Sequence, residues 1–130
     1  MERREYRRIN TDLNGTLFKK GVEIPVSVKN ISEKGIGILW KNSECPVDFT
    51  VHKNERFIVV FYDEDMTGIN TLNQDVQQCD FQICHVKKDA THTYIGGKLL
   101  SAATDYSSYV ANKKANRFIA NIRFMNFASA

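Results

Sequence analysis

The chain has 130 residues, 42% hydrophobic and 25% charged, and its 18 Lys and Arg against 15 Asp and Glu give a net charge of +3. That length fits one domain with a modest single core, and the composition excludes disorder as the default state. So small a charge excludes bulk nucleic-acid binding as a reading from charge alone, and no apolar run approaches the roughly 18–20 residues of a membrane span.

No apolar signal segment follows the N-terminal arginines, so a cytoplasmic location is expected. Cys45, Cys79 and Cys84 show no C-x-x-C pairing and support neither a disulfide framework nor a zinc ribbon. Three free thiols are expected. Charge is uneven along the chain: residues 1–8 carry Arg3, Arg4, Arg7 and Arg8, and the tail after Asp105 carries Lys113, Lys114, Arg117 and Arg123 without an acidic residue.

Taken in order, residues 1–11 read as a flexible arginine-rich arm, with Tyr6 and Ile9 to pin it to the body. A short strand is predicted from Leu13 to Lys19, with Asn14-Gly15 as a bulge or turn within it. After the Lys19-Lys20-Gly21 turn, Val22, Ile24, Val26 and Val28 alternate with polar residues and Pro25, which predicts a strand with one apolar face. Pro25 removes a ladder donor and points to an edge or to an irregular barrel position.

Asn30-Ile31-Ser32-Glu33-Lys34-Gly35 then reads as a hairpin tip, where Asn and Ser bond nearby backbone and Gly takes positive φ. Ile36, Ile38 and Trp40 alternate on the returning strand. Asn42 to Asn54 is polar and irregular. Phe57-Ile58-Val59-Val60-Phe61 reads as a strand buried throughout, followed by a long acidic loop from Asp63 to Asp75. Phe81, Ile83 and His85 alternate with Gln82, Cys84 and Val86, and Thr93 to Leu100 completes the last strand through Gly96-Gly97.

Six short strands with no intervening helix predict a mainly β fold, an antiparallel barrel spanning about 12–101. A C-terminal α-helix is predicted over about 104–126, capped by Thr104 or Asp105. Ala111, Ala115, Phe118, Ile119, Ile122 and Met125 would form its packed face, with Phe124 and Phe127 largely off it.

Two stretches stand out chemically. Arginine offers a planar fork of donors that pairs with phosphates and with guanine O6 and N7, and a flat face that stacks on rings. Alone, the arm reads rather as a solvated basic tail, and Asn30-x-Ser32-x-x-Gly35 more strongly still as a well-formed turn. Arg3-Arg4-x-x-x-Arg8 followed by Asn30-x-Ser32-x-x-Gly35 resembles the two-part signature of PilZ domains, receptors for cyclic di-guanosine monophosphate (cyclic di-GMP).

The resemblance implies a six-stranded PilZ-like barrel with a C-terminal helix and an arm that folds over the ligand. It implies that Arg4 and Arg8 reach guanine edges and phosphates, that Arg3 serves a second, intercalated ligand molecule, and that Asn30 and Ser32 hydrogen-bond the ligand. Gly35 would permit the turn and close approach of backbone. Tyr94-Ile95-Gly96-Gly97-Lys98-Leu99 resembles the family's last-strand pattern of a glycine followed three residues later by an aromatic, with Leu99 where phenylalanine is usual; Gly96 would let the ligand lie close to backbone and Tyr94 would stack on a base, or both serve the strand and core.

A downstream protein partner is implied, with no stable nucleic-acid or membrane partner. The rival readings are a degenerate PilZ-like adaptor that binds protein but no nucleotide, and a small nucleic-acid-binding barrel with basic ends.

No catalytic residue, metal or cofactor is expected, and the chain does not read as an enzyme. His52, His85, His92 and the cysteines lack metal-ligand spacing, and Cys84 and His85, as strand neighbours, are expected on opposite faces. Ser32 has no visible partner histidine, and Asp63-Glu64-Asp65 lacks the fuller calcium-loop pattern and reads as a solvated turn.

Overall fold

Period-two alternation lets a strand bury one face, and it is clearest here in Val22–Ile31 and Arg56–Asp63 among the six described strands. The computed structural model describes residues 8–63 and 75–102, together with 106, 107, 109–111, 113 and 115. The strands are β1 (Ile9–Lys19), β2 (Val22–Ile31), β3 (Gly35–Lys41), β4 (Arg56–Asp63), β5 (Asp75–Lys88) and β6 (His92–Ala102). All pairs are antiparallel, in the closed order β1-β2-β3-β6-β5-β4. Two three-stranded meanders thus meet along both borders, and closure leaves no open sheet edge. This is the barrel that the alternation predicted.

Inside it, Leu17, Ile24, Val28, Ile36, Ile38, Val59, Phe61, Phe81, Ile83 and Ile95 are fully buried. Burying each side chain of this size contributes roughly 1.5–3 kcal/mol, which is what pays the entropy of ordering the strands. β4 is not buried on both faces as its apolar run suggested. Phe57, Val59 and Phe61 point inward, whereas Ile58 and Tyr62 are exposed, because a single-layer barrel has solvent on its outer face.

Local chemistry sets the connections. Lys20 and Gly21, both at positive φ, join β1 to β2 in the two-residue hairpin that suits the strand twist. Pro25 pairs with Thr16 of β1 but lies beyond the β3 ladder, which begins at Ser27 opposite Leu39. β1 starts at Ile9 rather than Leu13, taking in the end of the stretch read as arm. Its irregularity falls between Asn10 and Leu13, and Asn14 and Gly15 pair regularly. Gly15 answers to packing instead: a Cβ there would lie 2.8 Å from the Val60 carbonyl oxygen of β4.

One end of the barrel is closed by the 42–55 connection, where Phe49 meets Trp40 edge-on and Lys19 lies over the rings of Phe49 and Phe57. The other end carries the β2–β3 tip, the start of β1 and the C-terminal helical residues. There Tyr106, Tyr109, Val110 and Lys113 are buried while Ala111 and Ala115 are exposed. The helix therefore packs through an i, i+3, i+4, i+7 face one step away from the expected alanine face. The reason lies in the barrel, where buried Asp63 accepts bonds from Lys113 and from the Tyr109 hydroxyl.

The remaining expected helix face (Phe118, Ile119, Ile122, Met125), Phe124, Phe127 and the caps Thr104 and Asp105 lie outside the described residues. So do residues 1–7, with Arg3, Arg4, Tyr6 and Arg7, and the interior of the acidic loop. No helix among the described residues is long and apolar enough to cross a membrane.

Candidate functional site

At the end of the barrel that holds the β2–β3 tip, a groove of about 630 Å³ is lined by Arg8, Ser32, Lys34, Gly35, Cys84, His85, Gly96, Gly97, Lys98 and Leu99. Its volume falls within the roughly 300–1,000 Å³ usual for small-molecule sites. Three cations line it, and among the described lining residues there is no carboxylate. An anion would therefore enter against no fixed negative charge, in surroundings where charge-assisted bonds are stronger than in water.

The tip is built by its own serine. Ser32 Oγ accepts bonds from the backbone N–H of Gly35 at 3.0 Å and of Lys34 at 3.3 Å, and the Ser32 N–H donates to the Gly35 carbonyl at 3.0 Å. This is a hydroxyl-closed turn of the kind Ser favours. Gly35 is in ordinary strand geometry rather than at positive φ, because Gly21 holds that conformation alone among the described glycines. Its small size matters for contact: a Cβ at 35 would lie 3.2 Å from the Gly97 carbonyl oxygen across the β3–β6 ladder.

Arg8, directly before β1, reaches Asn30 of β2 through a long 3.4 Å contact from Nη1 to Oδ1. Asn30 Nδ2 in turn donates to the Tyr94 hydroxyl at 3.1 Å. The Tyr94 ring packs against His85, with centroids 5.6 Å apart and planes tilted by 34°. An unbroken series of side chains therefore runs from Arg8 through Asn30 and Tyr94 to His85. Glycines make room for it, since a Cβ at Gly37 would overlap the Tyr94 hydroxyl and the Asn30 amide.

Of the residues singled out from the sequence, Arg8, Ser32, Gly35 and Gly96 line the groove, and Asn30 stands behind Arg8. Arg3 and Arg4 lie outside the described residues. Gly96 does more than offer bare backbone: the His85 ring sits over it, where a Cβ would collide with the ring.

Sequence reasoning missed Cys84 and His85 as groove residues. The β5–β6 register slips between Ile83 and His85, leaving Cys84 unpaired, so both side chains are exposed and both line the groove instead of facing opposite ways. Nothing local in the sequence marks that bulge. Lys34 and Lys98 were also passed over. Lys34 lies inside the tip motif and Lys98 directly after Gly97, opposite Gly35, so pairing the motif strand with the glycine strand was the available signal.

The PilZ domain family model matches residues 2–108. The chain belongs to the PilZ domain family. No curated protein matches it significantly. Among solved PilZ-like structures, the Bacillus subtilis inhibitor of motility MotI/DgrA superposes with a TM-score of 0.71 at 13% identity, covering 92% of this chain and 53% of that one. The PilZ domain of Escherichia coli YcgR with cyclic di-GMP gives 0.62 at 15% identity, covering 92% and 98%. Borreliella burgdorferi PlzA with cyclic di-GMP gives 0.56 at 8% identity, covering 88% and 52%. This chain thus spans about half the length of MotI/DgrA and PlzA but nearly all of the YcgR PilZ domain.

Cys45, Cys79 and Cys84 are free, and of the three Cys84 lines the groove. Burial pushes the Cys79 thiol up to about 12, so it stays protonated and inert. Among the described residues no group of three His, Cys, Asp or Glu side chains is placed to hold a metal ion.

Proposed function

We propose that this PilZ-domain chain is a receptor for cyclic di-GMP, which it binds in the groove at the β2–β3 tip. The observation that carries the reading is the convergence, in one groove free of carboxylates among its described lining residues, of Arg8, Ser32 and Gly35 with Lys34 and Lys98. A cyclic dinucleotide carries two phosphates and two guanines, so it calls for cations, donors to the Hoogsteen edge and flat surfaces. Arg8 supplies the fork, Lys34 and Lys98 supply charge, and Ser32 and Asn30 supply neutral donors. Two of the similar structures, YcgR and PlzA, were solved with this ligand.

In this reading Arg4 joins Arg8 on guanine and phosphate, and the arm of residues 1–7 docks over the ligand. Arg3 reaches a second, intercalated ligand molecule. Gly35 and Gly96 keep backbone and His85 close to the groove. The protein carries no catalytic role; docking of the arm is the signal, passed to a protein partner. Exposed Tyr62 and Val76, paired across β4 and β5, offer apolar surface for such a contact.

The test is calorimetric titration with cyclic di-GMP, with the linear dinucleotide and GTP as controls. Saturable, cyclic-selective binding at two ligands per chain is expected, falling toward one in Arg3→Ala. Absence of heat together with absence of thermal stabilisation would sink the receptor reading and leave a protein-binding adaptor.

A further inference from the structure

The β2–β3 tip is held from two directions. Ser32, Lys34 and Gly35 line the groove, whereas the carbonyl of Ser32 accepts a 2.7 Å bond from the hydroxyl of Tyr106, the first described residue of the C-terminal helix. Tyr106 is 2% exposed and Ser32 3%, so the bond is made out of water. Burial pushes the Tyr106 phenol well above its ordinary range, which keeps the proton on the oxygen and the hydroxyl a donor. The same helix is fastened at a separate place, where Tyr109 and Lys113 both donate to Asp63 at the end of β4. Its rings pack in series at a tilt, Tyr106 against Tyr109 and Tyr109 against Phe61 of β4.

We infer that Tyr106 is a positioning residue for the ligand site, holding the Ser32 backbone so that the tip presents a pre-formed face to the groove. The inference rests on the receptor reading above. Two features support it. Ser32 Oγ and N–H close the turn, so a shift of the Ser32 carbonyl would move the Lys34 and Gly35 amides and, through the Gly35–Lys98 pairing, the groove floor. The Leu99 N–H also donates to the Lys34 carbonyl at 2.9 Å, tying the tip to β6 on its other side. A tip fixed at both flanks loses little freedom when a ligand binds, and preorganisation of this kind raises affinity.

Linkage makes the effect reciprocal: if the docked helix favours ligand, ligand favours the docked helix. The groove and the helix are then two faces of one tip, and occupancy of the first is read at the second.

The experiment compares the parent chain with Tyr106→Phe and Tyr109→Phe. Each variant removes one hydroxyl from the same helix; that of Tyr106 donates to the tip and that of Tyr109 to Asp63. Calorimetry with cyclic di-GMP should show affinity about threefold to tenfold weaker in Tyr106→Phe, the range of a single hydrogen bond, and within about twofold of the parent in Tyr109→Phe. Hydrogen exchange at the helix amides should slow on adding cyclic di-GMP to the parent and to Tyr109→Phe, and not in Tyr106→Phe. Unchanged affinity in Tyr106→Phe, or equal losses in both variants, would overturn the positioning role, the second by showing that general loosening of the helix suffices. Absence of binding by the parent chain is a separate result, which overturns the receptor reading together with the inference built on it.

Discussion

Replacing Arg8 by alanine should separate binding from folding. Arg8 lies before the first residue of β1, is half-buried, and among the bonds described makes one long contact of 3.4 Å to Asn30. A bond that long is near the limit of what counts, so little stability is at stake in the free protein. In the complex the same guanidinium would make charge-assisted bonds to phosphate or to a guanine edge, each worth roughly 1.5–3 kcal/mol.

Loss of one such bond weakens affinity by about 10- to 150-fold, since each 1.4 kcal/mol is roughly a factor of ten. Arg8→Lys restores the charge but not the fork and should fall between the two, with a salt dependence close to the parent's because the charge is the same. Calorimetry reads the affinities and thermal melts check the fold. A folded Arg8→Ala protein that binds cyclic di-GMP within twofold of the parent would refute the placing of the ligand against this side chain.

Lys113→Met should leave the Asp63 carboxylate, 1% exposed, without its ammonium, costing about 3–5 kcal/mol; adding Asp63→Asn should recover a good part of it. Urea unfolding measures both, and a Lys113→Met protein as stable as the parent would mean that the pair does not fasten the helix. In the β5–β6 turn, the His92 N–H, then the Thr91 N–H and hydroxyl, hold the Asp89 carboxyl below its ordinary 3.8. Its contribution is complete above that value and is lost as pH falls through the lower folded one. Asp89→Ala should therefore melt below the parent at neutral pH, with the gap closing as acidification passes the lowered folded value; a gap that does not narrow on acidification would be contrary to the assignment. Finally, iodoacetamide should modify exposed Cys84 readily and leave buried Cys79 untouched until the chain unfolds. Saturating cyclic di-GMP should slow the Cys84 reaction, because Cys84 lines the groove; an equal rate with and without ligand would put the ligand elsewhere.

Much of the fold was legible locally. The alternation of Ile24, Val26 and Val28, and of Ile36, Ile38 and Trp40, is a property of neighbours in the chain, and each set faces inward as read. The Lys20-Gly21 turn and the Ser32 tip likewise rest on side chains and dihedral preferences within a few residues. Arg8, Ser32, Gly35 and Gly96 were marked in advance by their resemblance to a known pattern, and the fold gathers them around one groove.

What the tertiary structure decided are the features that depend on two partners at once. β5 pairs with β6 beyond the point where its ladder with β4 ends at Gln82, and the slip between Ile83 and His85 in that β5–β6 ladder leaves both Cys84 and His85 lining the groove. The helix could bury alanines by periodicity, yet it turns Lys113 inward because Asp63, fifty residues away, is a buried acceptor that needs a cation. Gly97 opens space for Phe81 inside the barrel, whereas its neighbour Gly96 opens space for His85 outside, a division invisible in a Gly-Gly pair. Patterns carried by the local chain were readable because their energetics are local; pairings across the barrel were not, because burial and register exist only once the strands have met.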